Sequence, residues 1–216
     1  MPASPPAPPP GQPPVQPRGR VLVVAGSDSG GGAGIQADVK TVTMLGGYAA
    51  TAITALTAQS TLGVFGVEPV TPDFIAAQMR VVLEDIGADA IKTGMLGTAA
   101  AIEAVVGVLE AMHVDVPVVV DPVMVAKGGA SLLDDDAHAA LVTRLLPRAS
   151  LVTPNLPEAR RLLGRPIPDA AAMPDGADWT ILAWALVAGA VLGAFGGWFG
   201  DLADHVKSHS QRGNLT

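Results

Sequence analysis

Short apolar runs alternate with longer helical patterns from residue 21 to about residue 163. Apolar or β-branched runs at 21–24, 49–55, 64–70, 88–92, 116–120 and 150–153 predict strands. Helical patterns lie at 33–45, 98–112 and 134–146, and further helices open near Pro72 and after Pro154. This alternation predicts βαβ units and an α/β fold with a mainly parallel central sheet. Because the strands are almost wholly apolar, we expect both faces of the sheet to be covered.

The two ends of the chain differ from this middle part. Residues 1–20 contain nine Pro and no continuous apolar run, which predicts a disordered tail and not a secretory signal. After Pro166 the alternation stops, and residues 179–200 contain no charged residue and all three Trp of the chain. We therefore predict a tail at 1–20, an incomplete α/β domain at 21–165, and a divergent tail at 166–216 with an apolar helix at 179–200.

The apolar segment 179–200 has two interpretations. A run of about 20 apolar residues can span a bilayer, and Trp179 and Trp198 near its ends suit the interfaces. It could equally be a buried helix that covers the sheet, or a frameshifted or fused end. A cytoplasmic location and membrane attachment through 179–200 therefore both stay open.

Composition narrows the classes of partner. The formal net charge of -7 argues against a general nucleic-acid surface. It does not exclude an anionic substrate, because one Lys or a helix N-terminus can hold a phosphate. The chain contains no Cys, so disulfides and thiolate metal sites are excluded.

A Gly-rich segment at 26–34 lies between the first strand and the first helix. Five of its nine residues are Gly, which lets a backbone approach a ligand closely. Ligands of parallel sheets bind at the carboxyl ends of the strands. The segment lacks the Gly-Lys-Ser/Thr of a P-loop and does not fit Gly-x-Gly-x-x-Gly. We interpret it as part of a ligand site, with a flexible connection as the alternative.

Five motifs in order carry a resemblance to a known family. They are GSDSGGGAGIQADVKT at 26–41, TALTAQST at 54–61, KTGML at 92–96, DPVMVAKGG at 121–129 and TPNLPEA at 153–159. Residues 21–163 resemble the N-terminal part of the hydroxymethylpyrimidine/phosphomethylpyrimidine kinases of thiamine biosynthesis. The resemblance implies a ribokinase-like three-layer sandwich, here truncated. It also implies a transferase that uses ATP and Mg²⁺ to phosphorylate 4-amino-5-hydroxymethyl-2-methylpyrimidine and its monophosphate. A pyridoxal-type kinase is a related alternative, but the opening motif and the region of Thr57 and Gln59 favour the pyrimidine enzyme.

The resemblance also implies a substrate site. Its six residues are Gly26, Asp38, Thr57, Gln59, Met95 and Val123. The side chains of Asp38 and Gln59 are suited to reading the aminopyrimidine edge, because a carboxylate accepts from an amine and a carboxamide both donates and accepts. Gly26 would let the backbone approach the ring, and the other three would form walls. Plain core packing is the alternative for Met95 and Val123.

A second group of residues is expected at the phosphates. Asp121 ends a buried strand, where a carboxylate needs a partner, and the resemblance places it in the phosphate and metal region. Lys127 is a candidate phosphate ligand. Asn155 and Glu158 form an Asn-x-x-Glu motif that would help hold Mg²⁺ and phosphates, with Asp121 and Glu158 as the candidate metal ligands. The alternative for Asn155 and Glu158 is a capping box at a helix start.

The chain departs from the family at the transfer step. In the family, a Gly-Thr-Gly-Cys-type motif at a downstream helix start stabilises the transferring phosphoryl group. The sequence contains no such motif, so we identify no catalytic residue. Two functions of different class follow: an active pyrimidine kinase, or a truncated or fused fragment that at most binds a pyrimidine. The expected partner is a small pyrimidine, and a homodimer stays open.

Overall fold

The computed structural model describes residues 17–124, 133 and 135–164, which build a central sheet with helices on both faces. The six strands are β1 (Arg20–Asp28), β2 (Tyr48–Ser60), β3 (Gly63–Pro69), β4 (Ala90–Thr93), β5 (Val118–Val120) and β6 (Leu151–Val152). The five helices are α1 (Gly34–Met44), α2 (Pro72–Asp85), α3 (Ala99–Ala111), α4 (Asp135–Ala140) and α5 (Leu156–Leu163). A π-helical turn at Leu141–Leu145 and a 3-10 turn at Leu146–Arg148 follow α4 directly.

The sheet is mixed, in the order β3-β2-β1-β4-β5-β6. Four neighbouring pairs are parallel, whereas β2 and β3 form an antiparallel hairpin. The predicted α/β fold is therefore confirmed, and the hairpin adds an antiparallel edge to a mainly parallel sheet. Because the parallel strands run in one direction, the carboxyl ends of β1, β2, β4 and β5 meet at one edge of the sheet.

Alternate residues of β1 enter two different apolar clusters, as the twofold period of a strand requires. Leu22 and Val24 pack with α2 and α3 on one face, whereas Val23 and Ala25 pack with Ile35 of α1 on the other. These four strand residues are at most 1% exposed. The prediction that both faces of the central strand are covered is confirmed.

Two helices, α2 and α3, begin at residues that are typical of helix starts. Thr98 precedes α3, and its hydroxyl accepts a hydrogen bond from the backbone N–H of Ala101 at 3.1 Å. Pro72 occupies the first turn of α2, where its missing N–H leaves no donor unpaired. These caps fix the helix starts, and hence the loops that connect each strand to its helix.

Several boundaries differ from the predicted ones. β1 continues through Gly26 to Asp28, and β2 extends to Ser60, well beyond the predicted end at 55. The single helix expected at 134–146 is α-helical only to Ala140 before the π and 3-10 turns. Arg20 already pairs with Tyr48, so the end of the expected Pro-rich tail joins the sheet.

Part of the prediction concerns residues that the structure does not describe. The apolar helix expected at 179–200 and most of the tail at 1–20 lie outside the described residues. Within the described ranges, no helix has the length and apolar character needed to cross a membrane.

Candidate substrate site

A cavity of about 380 Å³ opens at the carboxyl ends of β1, β2, β4 and β5, between α1 and the β2–β3 hairpin. All six residues expected in the substrate site line it: Gly26, Asp38, Thr57, Gln59, Met95 and Val123. Asp121, expected at the phosphates, lines the same cavity. The structure thus brings together residues that lie up to 97 positions apart in the sequence, from Gly26 to Val123.

The carboxylate of Asp28 organises the Gly-rich segment. One oxygen accepts from the backbone N–H of Gly30 at 2.8 Å, and the other accepts from Gly32 at 2.9 Å and Ala33 at 2.8 Å. Burial raises the pKa of Asp28, but the hydrogen bonds from these backbone amides outweigh it and hold the pKa below its ordinary value. The amides that could have cradled a phosphate are therefore engaged by a carboxylate of the chain itself.

Gln36 ties the start of α1 to the end of β1. Its side-chain oxygen accepts from the backbone N–H of Asp28 at 2.8 Å, and its amide nitrogen donates to Ser27 Oγ at 2.8 Å. Gly34 lies two residues before Gln36 and has a φ of +54, and a methyl group there would lie 2.3 Å from the carbonyl oxygen of Gly26. This close packing sets the position of α1, and with it the position of Asp38 in the cavity wall.

The hydroxyl of Ser29 makes two hydrogen bonds with the backbone of Gln59. It donates to the carbonyl oxygen of Gln59 and accepts from its N–H, each at 2.8 Å. The hydroxyl of Thr57 donates to the carbonyl oxygen of Ser27 at 2.9 Å and lies 3.3 Å from Gln59 Oε1. The Gly-rich segment therefore holds the β2–β3 hairpin, and the carboxamide of Gln59 lines the cavity.

Met95 forms the cavity wall next to β1. Its carbonyl oxygen accepts from the hydroxyl of buried Thr54 at 2.6 Å. A methyl group on Gly26 would lie 2.6 Å from Met95 Cε, so the Gly at this position makes room for the methionine. We expected Gly26 to let the backbone approach a ligand. The close packing of Met95 is a second reason why this position requires Gly.

Lys92 is a cavity residue that our sequence interpretation missed. Its ammonium donates to Asp38 Oδ2 at 2.9 Å and lies 3.7 Å from Asp121 Oδ2. Burial raises the pKa of Asp121, Lys92 lowers it, and the charges of Glu158 and Asp38 raise it further. The expectation that Asp121 has a partner is met. The signal for Lys92 was a single Lys inside an otherwise apolar strand.

Asn155 and Glu158 form a capping box at the start of α5. Asn155 Oδ1 accepts from the N–H of Glu158 at 3.0 Å, and Glu158 Oε2 accepts from the N–H of Asn155 at 2.9 Å. The Glu158 residue is 4% exposed. The helix-start interpretation is confirmed, and a role at the phosphates stays a prediction. Lys127 lies outside the described residues.

The mixed sheet with its cavity at the carboxyl edge matches the α/β fold of ribokinase-like kinases. A family model described as phosphomethylpyrimidine kinase matches residues 28–192. The chain belongs to this family. The resemblance inferred from the five motifs is therefore confirmed.

Individual relatives show the extent of the similarity. The chain is 52% identical over 148 residues to a hydroxymethylpyrimidine/phosphomethylpyrimidine kinase of Bacillus subtilis, covering 68% of this chain and 54% of the relative. It is 56% identical over 160 residues to a bifunctional thiamine biosynthesis protein of Geobacter sulfurreducens, covering 74% of this chain and 32% of that protein. The chain spans about half the length of the curated kinases it matches.

Solved structures agree with this assignment. The crystal structure of a phosphomethylpyrimidine kinase from Clostridium difficile 630 matches with a TM-score of 0.65 and 43% identity, over 70% of this chain and 65% of that one. A Staphylococcus aureus pyridoxal kinase in complex with pyridoxal matches with a TM-score of 0.61 and 41% identity, over 70% of this chain and 56% of that one.

Proposed function

We propose that this chain supplies the pyrimidine-binding part of a hydroxymethylpyrimidine/phosphomethylpyrimidine kinase. The reaction is the ATP-dependent phosphorylation of 4-amino-5-hydroxymethyl-2-methylpyrimidine and of its monophosphate. The observation that carries the proposal is the cavity at the carboxyl edge of the sheet, which all six expected substrate residues line. Residues 21–165 are the proposed kinase domain.

The polar groups of the cavity suit an aminopyrimidine. The carboxylate of Asp38 would accept from the exocyclic amine, and the carboxamide of Gln59 would pair with a donor and an acceptor on the ring. Met95 and Val123 supply apolar surface for the faces of the ring. Such a mixture of mostly apolar walls and a few fixed polar groups is typical of small-molecule sites.

Asp121 supports the assignment of the phosphate side and fits a Mg²⁺ ion. Mg²⁺ is held in kinases by one or two carboxylates together with substrate phosphates. Burial and the nearby charges of Glu158 and Asp38 raise the pKa of Asp121 despite Lys92, so a further cation beside it would be stabilised. Asp121 would hold the ion, and Glu158, whose charge acts on Asp121, is the second candidate ligand. When bound with ATP, Mg²⁺ would neutralise charge on the transferring phosphates. Lys127 is a proposed phosphate ligand on the sequence motif alone.

Pyrimidine binding without turnover is the second candidate function. It is favoured by the cavity itself, whose described lining residues include groups suited to the ring, whereas phosphoryl transfer also depends on positioned groups that stabilise the phosphoryl charge. In this case the described cavity would bind the pyrimidine, and the chain alone would not transfer phosphate. Pyridoxal is a third ligand to test, after the pyrimidine and its monophosphate, because a pyridoxal kinase is among the structural relatives.

An ATP- and Mg²⁺-dependent phosphorylation assay on the purified full chain separates these functions. Turnover that Asp38→Ala abolishes and Arg80→Met leaves unchanged would establish the kinase; Arg80 is an exposed residue of α2 outside the cavity. Pyrimidine binding without turnover would support the second candidate. If neither binding nor turnover is seen, or if only pyridoxal binds, the proposal is wrong.

Two further assignments rest on the sequence. Membrane contact through 179–200 is tested by carbonate extraction of membranes, where full release excludes a spanning segment. A homodimer is tested by sedimentation of the purified chain, where a single species at 21.8 kDa excludes it.

A further inference from the structure

Lys92 occupies an unusual place for a charged side chain. β4 lies between β1 and β5, and Lys92 is in register with Val23 on one side and Val119 on the other. Its side chain is only 24% exposed. A lysine is rarely found at such a position unless its ammonium is paired, because removing it from water is costly. The ammonium of Lys92 therefore needs the partners it has.

The partners of Lys92 come from two different elements. Its ammonium donates to Asp38 Oδ2 of α1 at 2.9 Å, and it lies 3.7 Å from Asp121 Oδ2 after β5. The Gly at position 94 leaves room for it, because a methyl group there would lie 3.3 Å from Nζ. Lys92 thus joins the side of the cavity assigned to the ring with the side assigned to the phosphates.

The charges around Lys92 are unequal. Among the described residues that line the cavity, Lys92 is the one basic side chain, whereas three residues are acidic: Asp28, Asp38 and Asp121. Glu158 adds a further negative charge that acts on Asp121. Without the ammonium, Asp38 would lose its hydrogen bond at Oδ2 and would remain beside a second carboxylate. Its orientation toward a ligand would then no longer be fixed.

We propose that Lys92 is a positioning residue of the pyrimidine site: it holds Oδ2 of Asp38, so that the remaining acceptor positions of this carboxylate are presented to the exocyclic amine. The inference rests on the proposed function of the same cavity. Lys92 acts through Asp38 and does not itself hydrogen-bond to the pyrimidine ring. The sign of the change in affinity tests this role, because removal of an ammonium that competed with the ligand for Asp38 would tighten binding, whereas removal of a positioning ammonium weakens it.

Calorimetric titration of 4-amino-5-hydroxymethyl-2-methylpyrimidine into the full chain tests the proposal. We expect Lys92→Met to weaken binding about tenfold or more, as for the loss of a hydrogen bond to a charged group. Lys92→Arg should retain binding within about fivefold, because it keeps the charge. Arg80→Met, which removes one exposed positive charge outside the cavity, should leave affinity unchanged.

A double-mutant cycle separates positioning from a general structural role. In an Asp38→Asn background, Lys92→Met should have little further effect, because the carboxylate that it positions is already gone. An equal loss in both backgrounds, or unchanged or tighter binding by Lys92→Met, overturns the inference. If Lys92→Met does not fold, as judged by circular dichroism, Lys92→Gln replaces it with the same expected loss. Absence of binding by the wild-type chain refutes the proposed function, whereas normal wild-type binding with an unaffected Lys92→Met refutes only this inference.

Discussion

The carboxylate of Asp28 gives the sharpest prediction about stability. The substitution Asp28→Asn keeps the size of the side chain and replaces one carboxylate oxygen by an amide nitrogen. In the wild type, Oδ2 accepts two backbone N–H groups and Oδ1 accepts one. If the remaining oxygen of Asn keeps the two bonds from Gly32 and Ala33, its amide nitrogen faces the N–H of Gly30, and two donors oppose each other.

The size of the effect follows from these three hydrogen bonds. A hydrogen bond to a charged group contributes about 1.5–3 kcal/mol, and a neutral one about 1 kcal/mol. Losing one such bond and weakening two should therefore cost about 3 kcal/mol of unfolding free energy. Because Asp28 is 5% exposed, solvent does not replace the lost bonds. For a urea m-value of about 2 kcal/mol/M, the midpoint should fall by about 1.5 M.

The pH dependence of the same variant gives an independent check. The pKa of Asp28 is lowered in the folded state, so its stabilisation is present above the unfolded-state pKa of about 3.9 and is lost as the pH falls through the folded-state pKa. The difference in unfolding free energy between the wild type and Asp28→Asn, measured in urea, should be constant from about pH 7 to pH 5 and should narrow below about pH 4.

The control for this experiment is Asp85→Asn. Asp85 is an exposed acid at the end of α2, and its loss should change the unfolding free energy by less than about 0.5 kcal/mol. Equal stability of Asp28→Asn and the wild type at pH 7, or a difference in unfolding free energy that does not narrow in acid, would contradict the stabilising role of the Asp28 carboxylate.

Two further substitutions probe the backbone of the site, and both are measured by urea unfolding. Gly34→Ala should cost about 3 kcal/mol or more, because its methyl group would lie 2.3 Å from the carbonyl oxygen of Gly26. Gly97 also has a positive φ (+81), but a methyl group there would have no atom within 4 Å, so Gly97→Ala is the matched control for backbone strain alone and should cost about 1–2 kcal/mol. Equal losses for the two variants would contradict a clash at residue 34. Asn155→Ala should cost about 1 kcal/mol through loss of the capping box, and no change in midpoint would mean that the cap does not stabilise α5.

Much of the fold follows from local patterns in the sequence. The apolar runs at the start of β1 and in β5 predicted buried parallel strands, because a strand covered on both faces is apolar at nearly every position. The same reasoning placed Asp121 at the end of a buried strand, whereas Met95 was assigned to the site by the family resemblance. The six candidate residues meet in one cavity because parallel strands bring distant motifs to a common edge.

Other features depend on contacts that a local pattern does not contain. The second half of β2, with Thr57 and Gln59, is polar enough to indicate a turn, and it is a strand because β3 folds back on it. Asp28 was predicted only as one residue of the Gly-rich ligand segment, and its role emerges only from the three backbone N–H groups that donate hydrogen bonds to it. Lys92 was detectable as a charge in an apolar strand, but its partners on α1 and after β5 are not encoded by spacing.

The most direct test of the central claim is the binding of 4-amino-5-hydroxymethyl-2-methylpyrimidine to the full chain, measured by titration calorimetry for the wild type and Gln59→Ala. Gln59 is held by Ser29 through its backbone, so removing the carboxamide leaves the hairpin in place. We expect one pyrimidine to bind per chain and Gln59→Ala to lose about tenfold or more in affinity. No binding by the wild type, or equal affinity of the two proteins, would contradict the claim that this cavity is the pyrimidine site.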